Sequence, residues 1–197
     1  CPVFTECHQH KSIAKNYLQN MNFFSTFKKY TYFLTRTFPA WLAHKRVEKC
    51  FAISPDCLDV ANTNYAIPKD KLVLLPLGTD TKTFHPCNSK NEKANRLKLR
   101  QSFGVNEDEI LVVYSGRFTS NKDPLILAKA INIIQKKNTR YKALFLGSGE
   151  QADEISVLNG CKIINFQTQN DLANIYRAAD IAVWPREESM SMLDAAA

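Results

Sequence analysis

No apolar run among the 197 residues reaches the ~18 that a membrane-spanning helix needs, which excludes an obvious transmembrane segment. Six cysteines, at positions 1, 7, 50, 57, 87 and 161, have neither the density nor the regular spacing of a disulfide scaffold. Free thiols in a reducing cytosol are the expectation, and with them a cytoplasmic location. Cys7, His8 and His10 form a CHxH cluster, but no second Cys/His pair with finger-like spacing accompanies it, so a structural or substrate-contacting histidine is expected and no metal. The pI near 9.1 raises nucleic acid as a partner. Paired aromatic strand motifs, a helix-turn-helix and a zinc finger are all missing, and no nucleic-acid partner is expected. The chain contains no internal repeats. An initiating Met is missing too: the sequence starts on Cys1 and stops on Ala195, Ala196 and Ala197, which read as mid-helix, so a fragment is expected. A lipidated N-terminal Cys is the rival reading, with nothing else in its favour.

What is present suits a globular chain with a sizeable core: 45% apolar and 23% charged residues. The charge is uneven. Residues 1–90 hold 12 Lys and Arg against 6 acids, or +6, and residues 91–197 hold 14 against 13, or +1. Within the basic half, residues 13–49 interleave Phe23, Phe24, Phe27, Tyr30, Phe33, Leu34 and Trp41 with Lys28, Lys29, Arg36, Lys45 and Arg46 at helical spacing, broken at Pro39. Such a stripe is first of all a face packed on a sheet. Its second reading is a basic amphipathic surface lying on an anionic membrane.

The rest alternates strands and helices. The pattern predicts a strand at 2–5, a broken helix over 9–48, a strand at 50–54, a helix at 55–64 capped by Ser54, and a strand at 71–75. Residues 76–86 and the polar run NSKNEKANR then read as a linker. Strands at 110–115, 142–146, 161–166 and 180–184 follow, separated by helices at 123–137, 150–158 and 170–178, with a last helix from about 190. Strands spaced by helices imply right-handed βαβ units and parallel sheets. Ligands of such sheets bind beyond the carboxyl ends of the strands. Two constellations fall at such ends. In ILVVYSGRFTSNKD an apolar run stops at Gly116, Arg117 follows at once and Lys122 lies just before a helix, a pair of fixed cations suited to a diphosphate. In IAVWPREESMSMLDAAA a second run ends at Pro185 and delivers Glu187 and Glu188, with Asp194 further along, carboxylates suited to sugar or ribose hydroxyls. Gly147, Gly149 and Ala152 formally fit G-x-G-x-x-A, but on the second strand of the series, and the next strand ends in Asn165 and Phe166 with no acid for a ribose. A tight turn with amides facing a ligand explains these glycines equally well.

These residues together resemble the retaining, GT-B-fold glycosyltransferases of glycosyltransferase family 4. FAISPDCLDVANTNYAIPKDKLVLLPLGTDTKTFHP is similar to the family's passage out of its first domain, VVYSGRFTSNKDPLILAKA to the opening of its second, and ALFLGSGEQ, DLANIYRAADIAVWP and ESMSMLDAAA continue the series. The resemblance covers residues 50–197 well and 1–49 loosely. It implies an α/β chain of two Rossmann-like domains, both incomplete: residues 1–88 from the acceptor-side domain, 89–109 a linker and the start of the second domain, and 110–197 a truncated nucleotide-sugar-binding domain. It implies that Arg117 and Lys122 hold the donor's diphosphate, so that no metal and no cofactor is needed beyond the nucleotide-sugar substrate. Glu187 or Glu188 would contact the sugar, and Asp194 the ribose. Gly116, Gly147, Gly149, Phe166, Ser189, Met190 and Ser191 would complete the donor pocket, and His8 or His10 would face the acceptor, a glycan or lipid-linked molecule. The sequence departs from the family in its acids: Arg186 stands seven residues before Asp194, where a Glu is usual, and Asp194 itself replaces a Glu. The shorter S-x-S-M-L form is familiar among surface-polysaccharide enzymes, which implies a hexosyltransferase of that kind at the inner face of the membrane. A GT-B-fold epimerase and a non-catalytic membrane-binding or regulatory module are the alternatives.

Overall fold

A computed structural model describes residues 3–7, 30, 31, 33–186 and 189–197. The chain divides into two compact units, Cys1–Leu77 and Gly78–Ala197.

In the first unit, β1 (Val3–Cys7), β2 (Val47–Ala52) and β3 (Leu72–Leu74) form a parallel sheet in that order, with Thr5 opposite Cys50 and Cys50 opposite Leu72. Strand β2 begins three residues before the expected position, because Val47 is buried and joins the core of Cys7, Cys50, Ala52, Cys57, Val60, Ala61 and Ile67. Ser54 starts the helix that follows, here termed α2 (Pro55–Tyr65), its hydroxyl accepting the Cys57 N–H at 3.2 Å. Upstream, the expected broken helix is described only in part: a π turn (Phe33–Thr37), α1 (Phe38–Ala43) and a 3-10 turn (His44–Arg46). Helix α1 buries none of its residues. Tyr30, Phe33, Leu34, Phe38, Trp41 and Leu42 are 40–66% exposed, so this part of the aromatic stripe is not a face packed on a sheet. The remainder of the stripe lies outside the described residues. The five described cysteines are free thiols.

The second unit is a parallel sheet of β4 (Ile110–Ser115), β5 (Tyr141–Leu146), β6 (Cys161–Ile164) and β7 (Ile181–Ala182), in the order β6-β5-β4-β7. Its helices are α3 (Lys90–Ser102), α4 (Pro124–Gln135), α5 (Ala152–Ser156), α6 (Gln169–Ala178) and α7 (Met190–Ala196). Successive residues of β4 face opposite ways into two cores. Val112 and Tyr114 pack with Phe118, Leu127, Ile131, Phe145 and Ile155 on the α4 and α5 side. Leu111 and Val113 pack with Val105, Leu144, Leu146, Ile175 and Ala178 on the other. A parallel strand covered on both faces must be apolar throughout, and at ~1.5–3 kcal/mol for each large side chain buried, these two layers dominate the unit's stability.

Helix α3 stands where the polar run reads as a linker. Its start is a capping box: the Ser89 hydroxyl accepts the Glu92 N–H at 3.2 Å, and the Glu92 carboxylate accepts the Ser89 N–H at 2.9 Å. What holds so polar a helix is an ion network. Arg96 and Arg100 donate to the two carboxylate oxygens of Asp180 at 2.7 and 2.8 Å. Arg100 is 2% exposed and also donates to the carbonyls of Ala178, Asn106 and Glu109. Burial pushes the Asp180 carboxyl up, but the Leu111 N–H and the two guanidinium groups outweigh it and hold its pKa below the usual range.

Candidate functional site

The sheet register places the carboxyl ends of β4, β5 and β6 at one level: Ser115 lies opposite Leu146, and Leu146 opposite Ile164. The turns that leave these strands are locked to each other. Gly116 N–H donates to the Leu146 carbonyl at 2.9 Å, Phe118 N–H to that of Ser148 at 2.9 Å, Gln151 N–H to that of Phe118 at 3.1 Å, and Gly147 N–H to that of Ile164 at 2.9 Å. The Gly147 amide is thus engaged within the sheet and is not turned towards a ligand.

The two glycines of the G-x-G sequence have a packing reason. A Cβ on Gly147 would stand 2.0 Å from the Gly116 carbonyl oxygen, and one on Gly149 would stand 2.6 Å from that of Phe118. Both residues also have φ near +145° (142° and 150°), where L side chains are rarely found. The turn after β5 therefore carries glycine because the turn after β4 presses against it.

Arg117 sits between two anchors. Phe118, fully buried, packs with Tyr114 and Phe145 at ring distances of 6.0 and 6.4 Å, and the Tyr114 hydroxyl donates to the Arg117 carbonyl at 2.9 Å. Burial pushes the Tyr114 hydroxyl up to about 12, against the opposing effect of the Arg117 charge, so it remains a donor at neutral pH. With its backbone held on both sides, the Arg117 side chain is left exposed at the strand end. Lys122 follows in a turn in which its N–H and that of Asp123 both donate to the Thr119 carbonyl, at 3.0 and 2.7 Å, and it is half-buried. The turn ends at Asp123, a left-handed residue at φ 47°. Its carboxylate receives Arg186 at 3.2 Å and the Gln151 amide at 3.3 Å, and Glu150 accepts the Ser120 N–H at 2.8 Å. These supports escaped the sequence reading. None of them leaves a local signal, because the partners of Asp123 stand 28 and 63 positions away.

Across the sheet, Val183 N–H donates to the Val113 carbonyl at 2.9 Å, continuing the β4–β7 pairing. Trp184 Nε1 then donates to the Ser115 carbonyl at 2.9 Å. The Ser115 hydroxyl meets the Tyr176 hydroxyl at 2.5 Å, and Tyr176 in turn bonds Ser191 on α7. Burial pushes the Tyr176 hydroxyl up, and the Asp194 charge adds to the rise. Asp194 Oδ1 accepts the Thr79 hydroxyl at 2.5 Å. Ser189 is the residue before α7 and makes no side-chain cap bond, Met190 is exposed, and Phe166 is exposed at the end of β6. The structure thus brings Arg117, Lys122, Gly116, Gly147, Gly149, Phe166 and Ser189–Asp194 to one edge of one sheet. His8, His10, Glu187 and Glu188 lie outside the described residues. Among the described residues no cluster of three His, Cys, Asp or Glu is placed to hold a metal, and no helix is long and apolar enough to cross a membrane. A groove of about 580 Å³ between α3 and α6, lined in part by Arg96, Leu99, Phe103, Ile164 and Arg177, contains none of the sequence-predicted site residues.

Residues 95–193 match the family described as glycosyl transferases group 1. The chain is 25% identical over 157 residues to the mannosylfructose-phosphate synthase of Agrobacterium fabrum, covering 72% of this chain and 33% of that protein. Among solved structures it is similar to WaaG, a glycosyltransferase involved in lipopolysaccharide biosynthesis (TM-score 0.64, 16% identity, 98% of this chain and 53% of that one). It is also similar to Anabaena Alr3699/HepE in complex with UDP and glucose (TM-score 0.60, 16% identity, 93% and 46%). The chain therefore spans about half the length of those structures and a third of the curated relative.

Proposed function

Because the chain belongs to the glycosyl transferases group 1, with the two parallel sheets of a GT-B fold, we propose that it moves a sugar from a nucleotide-sugar donor to a glycan or lipid-linked acceptor with retention of anomeric configuration. The observation that carries this reading is the pair of cations on one rigid turn: exposed Arg117 and, five residues on, Lys122, at the carboxyl end of β4. Two positive charges there offset the charge that grows on a diphosphate as the bond to the sugar breaks. Asp194, tied to the same strand end through Ser191, Tyr176 and Ser115, receives the ribose hydroxyls. Glu187 or Glu188 receives those of the sugar. The UDP and glucose of the Anabaena complex support a donor of this chemical class. On this reading the diphosphate needs no metal.

A lipid-linked acceptor in surface-polysaccharide synthesis is the second part of the proposal. It is supported by the exposed Phe33, Leu34, Phe38, Trp41 and Leu42, followed in the chain by exposed Lys45 and Arg46, apolar and basic residues suited to the anionic inner face of a membrane.

Titration of the full-length protein with UDP and GDP tests the donor site. Charge-assisted contacts to phosphate contribute about 1.5–3 kcal/mol each. Arg117→Ala and Lys122→Ala should therefore each weaken diphosphate binding and lower turnover by about ten- to a few hundredfold, with folding intact. Wild-type binding in both variants refutes the assignment. A non-catalytic module would bind neither nucleotide, and a GT-B-fold epimerase would bind one without transferring its sugar to an acceptor.

A further inference from the structure

Helix α7 is short and buries none of its residues, and Ser189 at its start makes no side-chain cap bond. Two polar side-chain contacts tie it to residues outside the helix. Ser191 bonds Tyr176, and Asp194 Oδ1 accepts the Thr79 hydroxyl at 2.5 Å across 115 positions of chain. Among the described residues, no hydrogen bond or ion pair other than this one engages the Asp194 carboxylate, and its second oxygen makes none.

Thr79 is itself firmly placed. Next to it, Asp80 accepts the Lys82 N–H at 3.0 Å and the Thr83 hydroxyl at 2.8 Å, closing a tight turn. Buried Phe84 then packs on Tyr176 at a ring distance of 6.1 Å, and Arg177 donates to the Thr83 carbonyl at 3.0 Å. Tyr176 thus serves both ends of the arrangement: its ring holds the segment that carries Thr79, and its hydroxyl holds the helix that carries Asp194.

We infer that Thr79 is a positioning residue for the donor site: its hydroxyl holds one oxygen of Asp194 so that the other is presented to the ribose hydroxyls of a nucleoside diphosphate. This rests on the donor reading above. The chemistry favours it because a partly exposed aspartate without a partner turns about two side-chain bonds, and stilling it on binding costs affinity that a preformed hydrogen bond recovers. The ordering of one such side chain corresponds to about a three- to tenfold change in affinity.

The test measures affinities of the full-length protein for UDP, GDP and ADP and for their 2′,3′-dideoxy forms by calorimetry, in wild type, Thr79→Val, Thr79→Ser and Asp194→Asn. The expected result is that wild type prefers the ribose form of at least one nucleotide. Thr79→Val should lose about three- to tenfold of that preference with dideoxy binding unchanged, Asp194→Asn should lose it too, and Thr79→Ser should restore it. Overturning results are a Thr79→Val protein that keeps the preference, one that loses both ligands equally, or a Thr79→Ser protein that behaves like Thr79→Val. A wild type that binds none of the nucleotides, or binds ribose and dideoxy forms alike, refutes the donor reading itself and the inference with it. That outcome is distinct from a wild type that discriminates as well as its Thr79→Val variant.

Discussion

Replacing Gly147 by alanine should be among the most damaging single-atom additions to this chain, and Gly78 supplies the internal control. The new Cβ at position 147 would lie 2.0 Å from the Gly116 carbonyl oxygen and 3.2 Å from the Phe118 ring. The first contact is a full ångström inside the 3.0 Å below which real Cβ atoms are essentially never found, and backbone rather than a flexible side chain must yield. Movement is opposed on both sides, by the Gly116 N–H bond to Leu146 and the Gly147 N–H bond to Ile164, each 2.9 Å. Overpacking of this kind costs about 1–3 kcal/mol. Holding a non-glycine residue at φ 142° adds about 1–3 kcal/mol more. A total near 4 kcal/mol corresponds to a fall in melting temperature of about 8–16 °C for a chain of this size. Gly78→Ala, with no atom within 4 Å of its Cβ, should shift the melt by no more than a degree or two, about 0.5 kcal/mol or less. Differential scanning calorimetry of both variants is the assay. If Gly147→Ala melts within about 3 °C of wild type, equivalent to roughly 1 kcal/mol, then the two turns are not interlocked as described. The same substitution should displace the Gly116–Phe118 turn and so weaken UDP or GDP binding in whatever fraction remains folded.

Asp180→Asn should destabilise the fold by about 3 kcal/mol, because it leaves the buried Arg100 guanidinium without its counter-charge while three carbonyl partners remain; urea denaturation measures it, and a loss under about 1 kcal/mol contradicts the role given to the network. Since the Asp180 pKa is lowered on folding, its contribution is present above the unfolded value of about 3.9 and is lost as pH falls through the folded value, so the gap between wild type and Asp180→Asn should narrow below about pH 4. Transfer activity should survive EDTA, whereas strict dependence on manganese or magnesium would show that Arg117 and Lys122 do not suffice at the diphosphate. Cosedimentation with anionic vesicles should be salt-sensitive and should fall when Trp41→Ala is combined with Lys45→Gln and Arg46→Gln; each basic residue contributes about 1 kcal/mol there, and binding unchanged by the triple substitution would leave the exposed aromatics without that role.

The sequence alone determined the elements whose physics is local. Strand β4 was legible to the residue, because a parallel strand covered on both faces must be a continuous apolar run, and residues 110–115 are one. Ser54 announced α2 by placing a hydroxyl within reach of the Cys57 amide. The succession of such runs and helices was enough for an α/β chain with parallel sheets, and Arg117 and Lys122 could be placed at a strand end because that position depends only on where an apolar run stops. Helix α3 was not legible as a helix despite its Ser89–Glu92 capping box, since its polar face is completed by Asp180, some eighty positions later. Nor was the exposure of Phe38 and Trp41, since helical spacing produces an apolar stripe whether or not something covers it. The reason for Gly147, the cradle of Asp123, Gln151 and Arg186, and the grip of Thr79 on Asp194 belong to tertiary structure alone. A hydrogen bond or a steric limit between residues far apart in the chain leaves no periodicity behind, and becomes visible only when folding has brought the two partners into contact.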